Sequence, residues 1–220
     1  MTLLLAEPGP LRDAIARELK DVAVTTVEDD DLVTAACGRE AIVYLPAARL
    51  LDALHAPNPD ARRAREALRA AHAPGVSLAV FVVPEGDGYR EELDVLEQDG
   101  TPYMVVAAPA LVEELGTTLP KHGTLLLPRS GSMRAADACA VATAVREALT
   151  TEEQGRIVTV GAEASPATLF KRAAQLSSLR VRILALWTPL YRLARWLWRL
   201  FRRPEPALYR ELRLLASPPP

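Results

Sequence analysis

Cysteine is almost missing from these 220 residues. Cys37 and Cys139 are the only two, and they form no CxxC pair, which excludes a disulfide-stapled scaffold and suits a reducing compartment. Histidine is as scarce: His55, His72 and His122 show neither HExxH nor Cys/His spacing, so no metal site is expected. A GxSxG elbow and a GxxxxGK[ST] loop are also lacking, which leaves hydrolase and phosphate-loop readings without an anchor. No basic segment precedes the opening leucines and Glu7 follows them, so the N-terminus reads as a buried first strand rather than an export signal, and the cytoplasm is the expected location. Nowhere do about 20 uncharged apolar residues run together, so no segment is expected to span a bilayer.

What is present is a chain half apolar, long enough for one full core and an appendage. Short apolar runs at 3–5, 22–27, 41–45, 78–83, 103–107, 124–127 and 157–160 read as buried strands. Between them, 11–20, 30–37, 59–73, 89–98 and 135–149 have helical spacing or composition. Alternation of this kind implies an α/β fold, a doubly wound parallel sheet of the Rossmann type, because parallel neighbours require crossovers. The expected organisation is one such domain over 1–175, a basic amphipathic helical segment over 176–203, and a proline-rich tail over 204–220. The stretch 22–45 is too short for two strand-helix units, so one unit is expected to be missing or compressed.

The net charge of −2 conceals a division. Residues 1–170 hold 15 basic and 26 acidic side chains, whereas 171–220 hold 11 and 2. An acidic body joined to a basic segment points to an anionic surface as partner, or to a tail that folds back on the body.

Leu3-Leu4-Leu5 followed by Ala6-Glu7-Pro8-Gly9-Pro10-Leu11-Arg12 has the outline of a dinucleotide-binding strand-turn-helix. Such a turn uses glycines to bend tightly, to approach a pyrophosphate and to pack helix on strand, and of the three only Gly9 remains, with Ala6 and Arg12 at the other two places. Arg12 reads either as a cation for a phosphate or as a surface residue on the first helical turn. The acidic run Glu28-Asp29-Asp30-Asp31 stands where this fold often holds a ribose, and equally where a helix from Asp30 is capped; capping is favoured. Gly131-Ser132, ahead of a helix near Arg134, reads as an anion-binding turn or as a plain cap.

In this order the chain resembles the atypical, extended-type short-chain dehydrogenase/reductases, in particular their NmrA-like and epimerase/dehydratase-like members. The likeness covers roughly 2–175 and rests on Ala41 to Ala47 as a strand running into small residues, on Gly75-Val76 ahead of the strand 78–83, on Gly100-Thr101-Pro102-Tyr103, on Asp137 opening an alanine-rich helix, and on 157–163 with 165–169. It implies a cofactor beside Gly9, Arg12 and Ala47. The family's redox members also use a tyrosine with a lysine four residues on, and here Tyr89 is followed by Leu93. No catalytic residue is assigned. Whether NAD(P) binds at all is undecided. The favoured reading is a catalytically reduced or inactive protein acting by interaction or nucleotide sensing, and the alternative is an active NAD(P)-dependent oxidoreductase or epimerase.

Arg192, Arg195, Arg199 and Arg202 recur at helical spacing in the last part of the chain. Leu190, Leu193, Leu197, Leu200 and Phe201 fill an apolar side with Trp196 and Trp198 on its flanks, and Pro189 suits the helix start. Over 180–203 this helix is expected either to pack on the domain or a twin subunit, or to attach peripherally to an anionic membrane, on its inner face; a partner protein is the further candidate. Nucleic acid is disfavoured by the acidic body, and a homo-oligomer is left open.

Overall fold

A computed structural model describes residues 1–19, 21–25, 32–46, 50, 61–85, 94, 97–98, 100, 102–151 and 153–200. In chain order its elements are β1 (Thr2–Leu5), α1 (Pro10–Glu18), β2 (Val22–Thr25), α2 (Leu32–Ala36), β3 (Ala41–Tyr44), α3 (Ala61–Ala71), β4 (Leu78–Pro84), β5 (Tyr103–Ala108), α4 (Val112–Thr117), β6 (His122–Pro128), β7 (Met133–Ala135), α5 (Ala138–Thr150), β8 (Arg156–Thr159), β9 (Ala162–Ala164), α6 (Pro166–Leu176), β10 (Arg180–Leu186) and α7 (Thr188–Leu200). They fall into two compact units: 1–109 with 136–161, and 110–135 with 162–220. Residues 110–135, read from sequence as part of the body, thus group with the C-terminal segment.

The first unit is the expected parallel α/β sheet, six strands in the order β2-β1-β3-β4-β5-β8. Strands β3 and β5 are buried at every position and β4 at all but its first, because helices cover both faces of a parallel sheet. Alternation sorts their side chains: Leu3, Leu5, Ile42, Tyr44, Phe81, Val83 and Val105 share one core with Leu32 of α2 and Ala64, Ala67 and Leu68 of α3. On the other face α5 packs on β4, β5 and α1 through its buried Val141, Ala142, Val145 and Ala148, with Arg146 paired to Glu18 at the rim (2.5 Å). Among the described residues a single helix, α2, separates β2 from β3. This agrees with the expected loss of one strand-helix unit.

Two expectations for this sheet need correction. The run at 124–127 forms β6, which lies outside the six-stranded sheet and pairs in parallel with β10. The run at 157–160 does join the sheet, as β8 beside β5, but as an edge strand with Ile157 exposed rather than a buried one. Of the helix expected at 89–98, Asp94, Glu97 and Gln98 are helical and the rest lies outside the described residues, as does the acidic run 28–31.

The second unit contains the β6–β10 pair, an antiparallel β7–β9 pair, and α4 packed on α6. Its polar ends are locally satisfied. Ser165 Oγ accepts from the Thr168 amide to cap α6, with Pro166 opening the helix, and the buried Glu114 accepts from the Leu111 amide (3.4 Å). Arg134 lies in a strand, so Gly131-Ser132 precede no helix and the anion-turn reading loses its basis. Residues 180–186, expected to belong to the amphipathic helical segment, form strand β10 instead; Val181, Ile183 and Leu184 there are a β run, and the helix begins only at Thr188, with Pro189 in its first turn.

Candidate functional site

Strand order reverses between β1 and β3: the chain leaves β1 towards β2 on one side, and returns through β3 to β4, β5 and β8 on the other. The two strands stay paired to their carboxyl ends, Leu5 beside Tyr44, and it is the connections leaving them that part, α1 towards α5 and α3 towards α2; such a switch point is the place where open α/β sheets hold ligands. The β1–α1 turn, residues 6–9, lies at this edge. Ala6 is fully buried and ties the turn to β2 through its amide, which donates to Thr25 O (3.1 Å). Gly9 follows with an extended backbone (φ 172°, ψ 169°) that any residue adopts, and a Cβ built on it meets nothing within 4 Å. Among the described residues, packing thus makes no demand for glycine there, and the position has clearance for a close approach.

Helix α1 starts directly at this space with no side chain capping it. Pro8 and Pro10 carry no N–H, so the first-turn donors are the amides of Leu11 and Arg12, aided by the positive end of the helix. The Arg12 side chain does not reach away over the turn: its Nε and Nη2 both donate to Asp13 Oδ1, at 3.0 and 2.8 Å. Leu11 is buried. Arg12 lies half-buried beside its neighbour.

Two residues that the sequence reading did not single out complete the turn. Glu7 Oε1 is buried without a hydrogen bond, and its cation is Arg63 Nη1 of α3 at 3.9 Å. Arg63 is in the first turn of its helix, so α1 and α3 bring a helix start and a guanidinium to the same edge. Tyr44, at the carboxyl end of β3, is wholly buried and packs its ring on Phe81 (centroids 5.7 Å, 48° between planes). Glu7 was visible in the turn itself, whereas nothing in the ARRAREALRAA run marks Arg63 until the fold places it.

Ala47, expected beside the cofactor, lies outside the described residues, as do Tyr89 and Leu93. Tyr103 is no substitute acid: it begins β5, at the opposite edge of the sheet, and burial together with its hydrogen bond to Glu97 (2.7 Å) pushes its pKa up to about 12. The C-terminal candidates belong to the second unit. Arg192, Arg195, Trp196, Trp198 and Arg199 are on α7, with Arg192 and Trp196 exposed, and Arg202 lies outside the described residues.

No protein-family model matches the sequence, and no curated protein matches it. Solved structures do match in fold. A nucleoside-diphosphate-sugar epimerase from Staphylococcus aureus superposes with a TM-score of 0.60 at 15% identity, over 100% of this chain and 93% of that one. An NADPH-dependent quinone oxidoreductase from Escherichia coli, complexed with NADPH, gives 0.62 at 16% identity, over 98% and 87%. A UDP-glucose 4-epimerase from Thermus thermophilus, in complex with NAD, gives 0.56 at 16% identity, over 89% and 93%. The chain therefore has the Rossmann-like fold found in NAD(P)-dependent epimerases and reductases.

Proposed function

We propose that this protein binds a nicotinamide dinucleotide at the carboxyl edge of the six-stranded sheet and works as an epimerase- or reductase-like protein without the tyrosine-lysine acid. The observation that carries this reading is the clearance at Gly9, at the point where strand order reverses and α1 begins. The clearance at Gly9 and the backbone donors of the turn fit a pyrophosphate, and among the described residues of the turn Glu7 is the group of the wrong sign. The amides of Leu11 and Arg12 would hold the phosphates, and Arg63 would balance the charge that Glu7 leaves. When bound, the nicotinamide supplies a hydride acceptor or donor.

A second reading, nucleotide sensing without chemistry, is favoured by one observation: Leu93 stands where the lysine partner of Tyr89 would be. Isothermal titration with NAD, NADH, NADP and NADPH tests the first reading. Micromolar binding of at least one of them is expected, and no heat up to millimolar cofactor overturns the proposal. Binding without hydride transfer to any of a panel of quinones and nucleotide sugars would move the conclusion to the sensing reading.

A further inference from the structure

Helix α7 and the strand before it present apolar residues that are exposed among the described residues. Trp187 is 68% exposed, Leu190 53%, Leu193 51% and Trp196 57%. Leu190 and Leu193 lie near the middle of the apolar side at 100° per residue, so it is the centre of that side, and not its margin, that faces outwards. Strand β10 extends the same character, with Arg180, Arg182 and Leu184 exposed ahead of Trp187.

Charge selects the occupant. Residues 171–200 hold seven lysines and arginines and no acidic residue. Two copies of this face brought together would place like charges side by side, whereas an anionic surface complements them. Phosphates alone would not cover the leucines. An interface that is apolar beneath and negative at its rim suits both halves, and tryptophan, with an apolar body and a polar N–H, favours the boundary between them. Among the described residues no helix is long and apolar enough to cross a membrane, so the helix would lie in the plane of the surface.

We propose that α7, led by Trp187, docks this protein on an anionic lipid bilayer, its leucines inserted among the acyl chains and its arginines at the headgroups. This inference stands independently of dinucleotide binding. All three tryptophans of the chain, Trp187, Trp196 and Trp198, fall in this segment, so the protein's tryptophan emission reports on it alone.

The test is sedimentation of the full chain with phosphatidylglycerol/phosphatidylcholine vesicles and with phosphatidylcholine alone, at low and high salt. Binding to the anionic vesicles is expected, with a blue shift of tryptophan emission, at least tenfold weaker binding at high salt, and at least tenfold weaker binding to neutral vesicles. The doubly substituted Leu190→Glu/Leu193→Glu protein should lose the binding while keeping its circular dichroism and its dinucleotide affinity. An Arg192→Glu/Arg199→Glu protein should lose it too, which keeps the test open if the leucine variant fails to fold. Failure of the wild-type protein to pellet with either vesicle overturns the proposal. So does equal binding by the variants, or a concentration-dependent dimer in analytical ultracentrifugation that the leucine substitutions abolish.

Discussion

Glu7 sets a carboxylate into a turn whose backbone otherwise suits an anion, and this conflict makes it the most informative single position for the proposed site. Among the described residues, Arg63 at 3.9 Å is the cation that balances its buried Oε1. Replacing it by the isosteric amide removes a like charge from the turn that would hold the phosphates. Glu7→Gln is therefore expected to tighten dinucleotide binding by roughly fivefold, about 1 kcal/mol, in isothermal titration; unchanged or weaker binding would mean that the pyrophosphate is not held at this turn. Tyr103 gives a second test, this one of stability. Its pKa is raised from 10.0 to about 12 by burial, by the hydrogen bond to Glu97 and by the charges of Glu97 and Asp94. Folding thus favours the protonated ring, and the stabilisation is complete below pH 10 and is lost as pH rises to about 12. Tyr103→Phe should be less stable than wild type by about 1 kcal/mol at neutral pH, and urea midpoints measured in steps above pH 10 should show that gap closing; a constant gap would count against the raised pKa.

Elements meet at two glycines, and only one of them was readable in advance. Gly75 belonged to a turn expected before the strand at 78–83, and it indeed adopts φ +99° with its missing Cβ 3.2 Å from Gly38 Cα. Gly116 gave no such signal, because it lies inside α4, a stretch to which the sequence reading assigned no element, and the reason for it is the partner helix. A Cβ there would stand 2.0 Å from Ser177 Oγ, 3.2 Å from Ala173 O and 3.3 Å from Ser177 Cβ. Rotation of the serine relieves the first contact but not the other two, so α4 and α6 must separate. Gly116→Ala is expected to destabilise by about 1–2 kcal/mol in chemical denaturation even though alanine is the better helix former. Adding Ser177→Gly should recover part of that loss, and an alanine variant as stable as wild type would show that the helices slide freely. The same distinction explains the misplaced strands. Apolar runs at 124–127 and 157–160 were legible as strands, but a run does not state its neighbour: β6 has β10 beside it, and β8 ends the sheet with one side open. Arg180 to Leu186 was read with the helix because its arginines and leucines continue the composition of α7, whereas Val181, Ile183 and the proline at 189 mark where the strand ends and the helix begins.

At the scale of the whole molecule, composition announced more than any motif. The parallel sheet followed from alternating runs, and the missing strand-helix unit followed from the shortness of 22–45, which the order β2-β1-β3 accommodates by losing one edge. The turn at Gly9 could be located in the sequence, yet its openness could not, since that depends on Arg12 bending to Asp13 and on Arg63 arriving from α3. Charge asymmetry was equally plain, and it supports a final prediction. With a net charge of −2 and a pI near 6.0, a chain whose charges were evenly spread would pass through a cation exchanger at pH 7.5. Residues 171–220 nevertheless carry 11 basic and 2 acidic side chains. If their basic face is presented outwards, the protein is retained by cation as well as anion exchangers at low ionic strength, and leaves the cation exchanger as salt shortens the screening length to about 8 Å near 0.15 M. Arg192→Glu/Arg199→Glu should abolish cation-exchange retention and leave anion-exchange retention in place. Flow-through of the wild-type protein would mean instead that the acidic body neutralises the segment, and such a neutralised helix would have little left to offer an anionic bilayer.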